Sequence, residues 1–360
     1  MARRVFVHIG LPKTGTSYLQ AIAWPGRSQL RAAGVLLPGA RKSDHLFASM
    51  IVREDPGIAR RGPGASQAWD RILADITRWD RDALITHEFF CAASAEQAQR
   101  MVTQLAPAEV HVVITAREPL GLLTSSWQES LKNKATTPLA DYGRTESSDP
   151  RDVWDWRSLD LGLVLERWTP AVPPERLHLI TSALPGSARE VLWQRFTGVL
   201  GIEPTTCDTT RGFANSSMGI AEAETLRRVN QRLTGFNTAR ARGMWLRSFL
   251  ADERLVPRPG EPFGPAPDQV DDARRRGARA MEMIRAAPYD VIGDPDLLLV
   301  PDDLPPRRSP DSVTDAEVAD VALDLVARLL GDLQRRTERT PPPGEVPTRL
   351  ARLKQAIKGV

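Results

Sequence analysis

One stretch near the start of the chain constrains its fold more than any other. Val5, Phe6, Val7 and Ile9 make a short apolar β-run, Gly10 to Gly15 supply turn chemistry, and Tyr18, Leu19 and Ile22 begin a helical face. A strand, a glycine-containing loop and a helix start together form an anion cradle. The amide N–H groups at a helix start lack intrahelical partners, and the aligned peptide dipoles favour negative charge there. Further apolar runs follow at Val35 to Leu37, Ala83 to Thr86, Val110 to Thr115 and Leu177 to Thr181, and helical patterns follow most of them, at 94–105, 119–133 and 188–200. This alternation predicts an α/β fold, a parallel β-sheet flanked by helices. Ligands of such sheets bind outside the carboxyl ends of the strands, where Lys13 and the residues after Ile85 and Ile114 fall.

The loop departs from the nucleotide-triphosphate pattern in one respect. A G-x-x-x-x-G-K-[ST] loop places its lysine directly after the second glycine, where it reaches the β and γ phosphates. Gly10 and Gly15 keep the glycine spacing, but Thr16 stands where that lysine would be, and the lysine is Lys13, inside the loop. Pro12, Lys13, Thr14, Gly15, Thr16 and Ser17 resemble the 5′-phosphosulfate loop of sulfotransferases that use 3′-phosphoadenylyl sulfate (PAPS), whose pattern is Pro-Lys-x-Gly-Thr-[Thr/Ser]. The resemblance implies a sulfotransferase-like P-loop fold with PAPS as cosubstrate. It also makes Tyr18 the counterpart of the family's adenine-contacting aromatic, although a tyrosine at this spacing reads equally as helix core.

The second signal is Val110 to Trp127. A buried strand ends, Arg117 sits just past its edge, and Pro119 opens a helix at the position proline favours. Arg117 and Ser125 are eight residues apart, an interval that lets an arginine at a strand tip and a serine two turns into the next helix converge on one anion. Arginine offers a fixed fork of donors suited to phosphate, and serine adds a neutral donor. Sulfotransferases show the same arrangement as their 3′-phosphate element, which implies discrimination against ATP, since ATP lacks that phosphate. Arg211, followed by Gly212, could correspond to the family's late basic-glycine element, but the Arg-Lys-Gly run is incomplete.

A hydroxyl acceptor must lose a proton, so a base is needed opposite the leaving phosphate. His87 and Glu88 stand side by side at the end of the 83–86 run, and neighbours on an extended strand point to opposite faces, so one of the two faces the acceptor. Glu88 is favoured, with His87 as rival and His45, after Arg41 and Lys42, as a weaker candidate that reads more readily as plain surface. Sulfuryl transfer resembles phosphoryl transfer in building negative charge on the bridging oxygen of the leaving group. Lys13 would neutralise that charge, and no metal is called for. The five histidines, at 8, 45, 87, 111 and 178, show no metal-ligand spacing.

The whole chain limits the remaining options. Its 360 residues carry 48 basic against 45 acidic side chains, a net +3 that gives no argument for nucleic acid. Only six of the 48 are lysines, which suggests a GC-rich, bacterial genome and makes a loop lysine more noticeable. Cys91 and Cys207 show neither disulfide nor CxxC spacing, there is no secretory h-region, and no apolar run is long enough to span a membrane, so a cytoplasmic location is expected. Residues 1–205 are expected to form the PAPS-binding core and 206–338 a helical lobe continuous with it, where strand signals stop and a Thr314-x-x-Glu317 capping box opens a face of Val318, Val321, Leu325, Leu329 and Leu333. Arg53 to Ser66 and Val256 to Pro267 read as mobile loops, and 339–360 as a Pro-rich hinge and basic amphipathic tail. That tail would dock on its own domain or on a neighbouring subunit of a homo-oligomer rather than on a membrane. A sulfotransferase acting on a carbohydrate or small-molecule hydroxyl is the leading expectation. The alternatives are a P-loop kinase for a small metabolite and a non-catalytic nucleotide- or glycan-binding protein. Trp154, Trp156 and Trp168 could line an acceptor pocket or belong to the core.

Overall fold

The computed structural model describes residues 1–183, 187–188, 190–210 and 217–339. Six strands, β1 (Arg4–His8), β2 (Val35–Leu36), β3 (Asp82–Thr86), β4 (Glu109–Ala116), β5 (Leu177–Thr181) and β6 (Asp290–Ile292), lie parallel in the order β2-β3-β1-β4-β5-β6. The helices are α1 (Thr16–Ala23), α2 (Arg27–Ala32), α3 (Lys42–Val52), α4 (Ala68–Thr77), α5 (Ala95–Leu105), α6 (Pro119–Lys132), α7 (Trp156–Leu159), α8 (Leu161–Trp168), α9 (Glu190–Leu200), α10 (Ile220–Arg232), α11 (Ala239–Ala241), α12 (Pro267–Ala286) and α13 (Asp315–Arg339). A π-helix, Arg242–Leu255, follows α11 directly.

Period-two alternation distributes the strand residues between two apolar layers. Val5, Val7, Ile85, Val112, Ile114 and Leu179 face the layer that contains α4, α5, α8 and α12 residues. Phe6, Leu84, Val113 and Ile180 face the opposite one, filled from α1, α2 and α9 by Leu19, Ile22, Leu30, Trp193 and Phe196. Strands covered on both sides must be apolar at nearly every position, which is why they read as continuous runs. A third cluster joins Trp127 and Leu131 of α6 to Leu226 of α10, Leu255 of the π-helix and Leu325 of α13, and it makes the helical C-terminal region one packed body with the sheet's own α6.

The order of the strands positions the site. β1 lies between β3 and β4, with His8 opposite Thr86 on one side and Val113 on the other. The segments that leave these three strands, the Gly10 to Gly15 loop, His87-Glu88 and Arg117, therefore emerge side by side at one sheet edge.

Several expectations need correction. Strands do not stop at residue 205, because β6 pairs with β5 through His178 and Asp290. It is three half-exposed residues long, too short for any periodicity to register. The capping box at Thr314 and Glu317 forms, but Leu333 leaves the expected face of α13 and is 62% exposed. Arg53 is buried rather than part of a surface loop, and short 3₁₀ turns at Pro56–Arg60 and Ala65–Gln67 follow it. The tail beyond residue 339 lies outside the described residues.

Candidate functional site

The loop after β1 is stitched to its neighbour before it turns. The amide of Ile9 donates to the Val113 carbonyl at 3.0 Å and that of Leu11 to the Thr115 carbonyl at 2.8 Å. Three residues then take positive φ: Gly10 at 37°, Lys13 at 68° and Gly15 at 97°. Gly10 has no room for a side chain, since a Cβ there would lie 2.7 Å from Thr16 Oγ1 and 2.9 Å from Thr115 Oγ1. Gly15 precedes α1, and no side chain caps that helix start.

Behind the loop runs a buried polar chain. Thr14 Oγ1 donates to the Leu11 carbonyl at 2.6 Å and lies 2.6 Å from Thr115 Oγ1, which is 3.3 Å from His8 Nε2, while His8 Nδ1 is 2.8 Å from Thr86 Oγ1. The Leu11 carbonyl can only accept, so each hydroxyl in turn spends its hydrogen in one direction, and His8 must carry its proton on Nε2. Burial pushes the His8 imidazole down to about 3, which keeps it neutral and this order fixed. His45, expected at the surface, is also fully buried. Its Nε2 donates to the Pro38 carbonyl at 2.8 Å and its Nδ1 accepts from the Thr86 amide at 3.0 Å, which commits both ring nitrogens to structure.

The expected anion ligands are arranged around this frame. Lys13 is exposed at the loop crown, Thr14 and Thr16 are buried, and Ser17 is exposed. Thr16 Oγ1 is buried with no hydrogen-bond partner among the described residues, an arrangement that costs free energy unless a ligand or water completes it. Tyr18 packs in the α1 layer with Phe6 and Ile22. Arg117 lies 3.0 Å from Glu118, whose other carboxylate oxygen accepts from the Gly121 amide at 2.6 Å and so caps α6. Ser125 is half-buried on the helix face that also carries Gly121 and Glu129 at one-turn intervals. Arg211 lies outside the described residues.

At the end of β3, His87 Nδ1 accepts from the Phe89 amide at 3.2 Å and stands 3.8 Å from Glu88 Oε2. Burial holds the His87 imidazole below its ordinary value against the attraction of Glu88. Its Nδ1 lone pair is already spent, which leaves the Glu88 carboxylate as the freer proton acceptor of the two. Burial also lowers the Lys42 ammonium, with Glu88 acting in the opposite sense. Phe89 meets Trp154 edge to face at 5.7 Å beside this pair. Trp156 and Trp168 are fully buried core residues.

Two charged residues at the site were not anticipated from sequence. Glu129 of α6 lies 3.1 Å from Lys13 Nζ and forms a second ion pair with Arg247 of the π-helix. The one-turn spacing after Ser125 could have pointed to Glu129. A lone arginine in an arginine-rich chain carries no such signal.

No family model matches the chain, and no curated protein matches it. Among solved structures it is similar to a sulfotransferase from Alicyclobacillus acidocaldarius, with 20% identity and a TM-score of 0.39 over 59% of this chain and 87% of that one. It is also similar to the sulfotransferase domain from the curacin biosynthetic pathway, with 12% identity and a TM-score of 0.32 over 81% and 99% of the two chains.

Proposed function

We propose that this chain is a PAPS-dependent sulfotransferase that sulfonates a hydroxyl of a carbohydrate or small molecule. The observation that carries the reading is the juxtaposition, along three adjacent strands, of a lysine-crowned anion loop, an arginine-serine pair and a carboxylate. The residues present fit the cosubstrate. Thr16 offers a buried hydroxyl without a partner, the start of α1 is left uncapped by side chains, and Gly10 keeps the loop backbone close to its base.

Bound there, PAPS would supply the sulfuryl group. Lys13 would neutralise charge on the bridging oxygen, while Gly15, Thr16 and Ser17 would hold the 5′-side oxygens through amides and hydroxyls. Arg117 and Ser125 would take the 3′-phosphate and so reject ATP. Glu88 would take the acceptor's proton, and the half-buried Trp154 and Phe89 would form an apolar wall beside it.

Isothermal calorimetry with PAP, the desulfonated product, against ADP and ATP tests this. PAP should bind at least about tenfold more tightly than ADP, the scale of one charge-assisted hydrogen bond. A preference for ATP would overturn the reading in favour of a kinase.

A further inference from the structure

Glu129 carries the wrong charge for its surroundings. A carboxylate beside an anion cradle repels what the cradle is shaped to hold, and one that is 7% exposed is costly unless both oxygens are paired. Here both are. Oε2 pairs with Lys13 at 3.1 Å and Oε1 with Arg247, so one buried carboxylate joins the phosphate loop, α6 and the π-helix. Glu129 also lies on the α6 face that presents Ser125 one turn earlier.

We propose that Glu129 is a positioning residue, an internal counter-ion that holds Lys13 and Arg247 beside the loop until the nucleotide's anionic groups replace it, which makes Arg247 a further nucleotide contact. This rests on the anion site proposed above. Burial pushes the Glu129 carboxyl up, but the charges of Lys13 and Arg247 and the hydrogen bonds they donate outweigh burial and hold it below its ordinary range, so it is ionised at neutral pH. The π-helix has a separate tie to α6, from Lys132 Nζ to Asp252 Oδ1 at 2.6 Å, so Arg247 can change partner without releasing the segment. π-Helical pairing is rare and is frequently found at functional sites.

Calorimetry on full-length Glu129→Gln and Arg247→Ala with PAP distinguishes this from a brace. Glutamine keeps the shape of the side chain and removes the competing charge, so Glu129→Gln should bind PAP about tenfold more tightly than wild type. Arg247→Ala, at a side chain 35% exposed, leaves Glu129 its pair with Lys13, so it should stay folded at a lower melting temperature and bind about tenfold more weakly. Opposite signs are the signature of exchange. If Glu129 merely braces the π-helix, both variants lose the same brace and shift affinity together, and that result, or no shift in either, overturns the proposal. Wild-type preference between PAP and ATP judges the cosubstrate reading separately, and the sign comparison is repeated with whichever nucleotide wild type prefers. A wild type that binds neither overturns both.

Discussion

Lys13 holds a backbone conformation that glycine prefers, at φ 68°, in the loop where a side chain is otherwise excluded at Gly10. A left-handed non-glycine residue costs roughly 1–2 kcal/mol, and such strain persists where the surroundings fix it, as the ties of Ile9 and Leu11 to β4 do here. The backbone therefore fixes where the side chain at 13 leaves the crown, and Glu129 holds its Nζ. Lys13→Ala keeps the same backbone cost but takes one of two partners from the buried Glu129, so it should stay folded, held by Arg247, with a lower melting temperature. Its turnover should fall by about 100-fold or more while PAP affinity falls by only about tenfold, because the charge it neutralises is largest in the transition state. Single-turnover kinetics with near-normal rates would remove Lys13 from this role. Lys13, Gly15 and Arg117 were legible because their spacing is local. His8 and Glu129 were not, since a histidine inside a strand and a lone helical glutamate acquire meaning only from what they touch.

At the scale of elements, α6 connects the sheet to the site. Its start is legible from Pro119, and the structure adds Glu118 as its cap and Arg117 laid across Gly121. A Cβ at Gly121 would lie 2.0 Å from the Arg117 guanidinium and 2.1 Å from the Glu118 carboxylate, the far ends of two side chains that can swing away. Gly121→Ala should therefore displace Arg117 and weaken PAP binding by about tenfold, one charged hydrogen bond's worth. Alanine is the better helix former by up to about 1 kcal/mol, but moving Glu118 loosens the cap by a similar amount, so stability should change little. Unchanged affinity in calorimetry would show that Arg117 does not bind the nucleotide. β6 is the opposite case. It escaped the sequence reading because three residues with no apolar alternation are strand only through the partner they find, His178 against Asp290.

Across the whole molecule, two buried neutral imidazoles couple folding to pH. Burial moves His8 to about 3 and His45 to about 4, both below the ordinary 6.5. The unfolded chain therefore takes up protons below about 6.5 that the folded chain refuses, so stability is full above that pH and is lost as pH falls toward 4. Each group should contribute a slope of up to ~1.4 kcal/mol per pH unit in that window. Urea midpoints measured from pH 7 down to 4.5 check this, and a flat profile would show that these rings ionise freely in the fold. The alternation of strand and helix patterns, the displaced lysine and the eight-residue interval from Arg117 to Ser125 were determined by sequence alone, because each depends on residues that are neighbours along the chain. Tertiary structure decided which strands lie side by side, that His8 links β3 to β4, and that Glu129 pairs with both Lys13 and Arg247. Those side-chain contacts span 78 residues or more, and only packing and charge compensation in the folded chain select them.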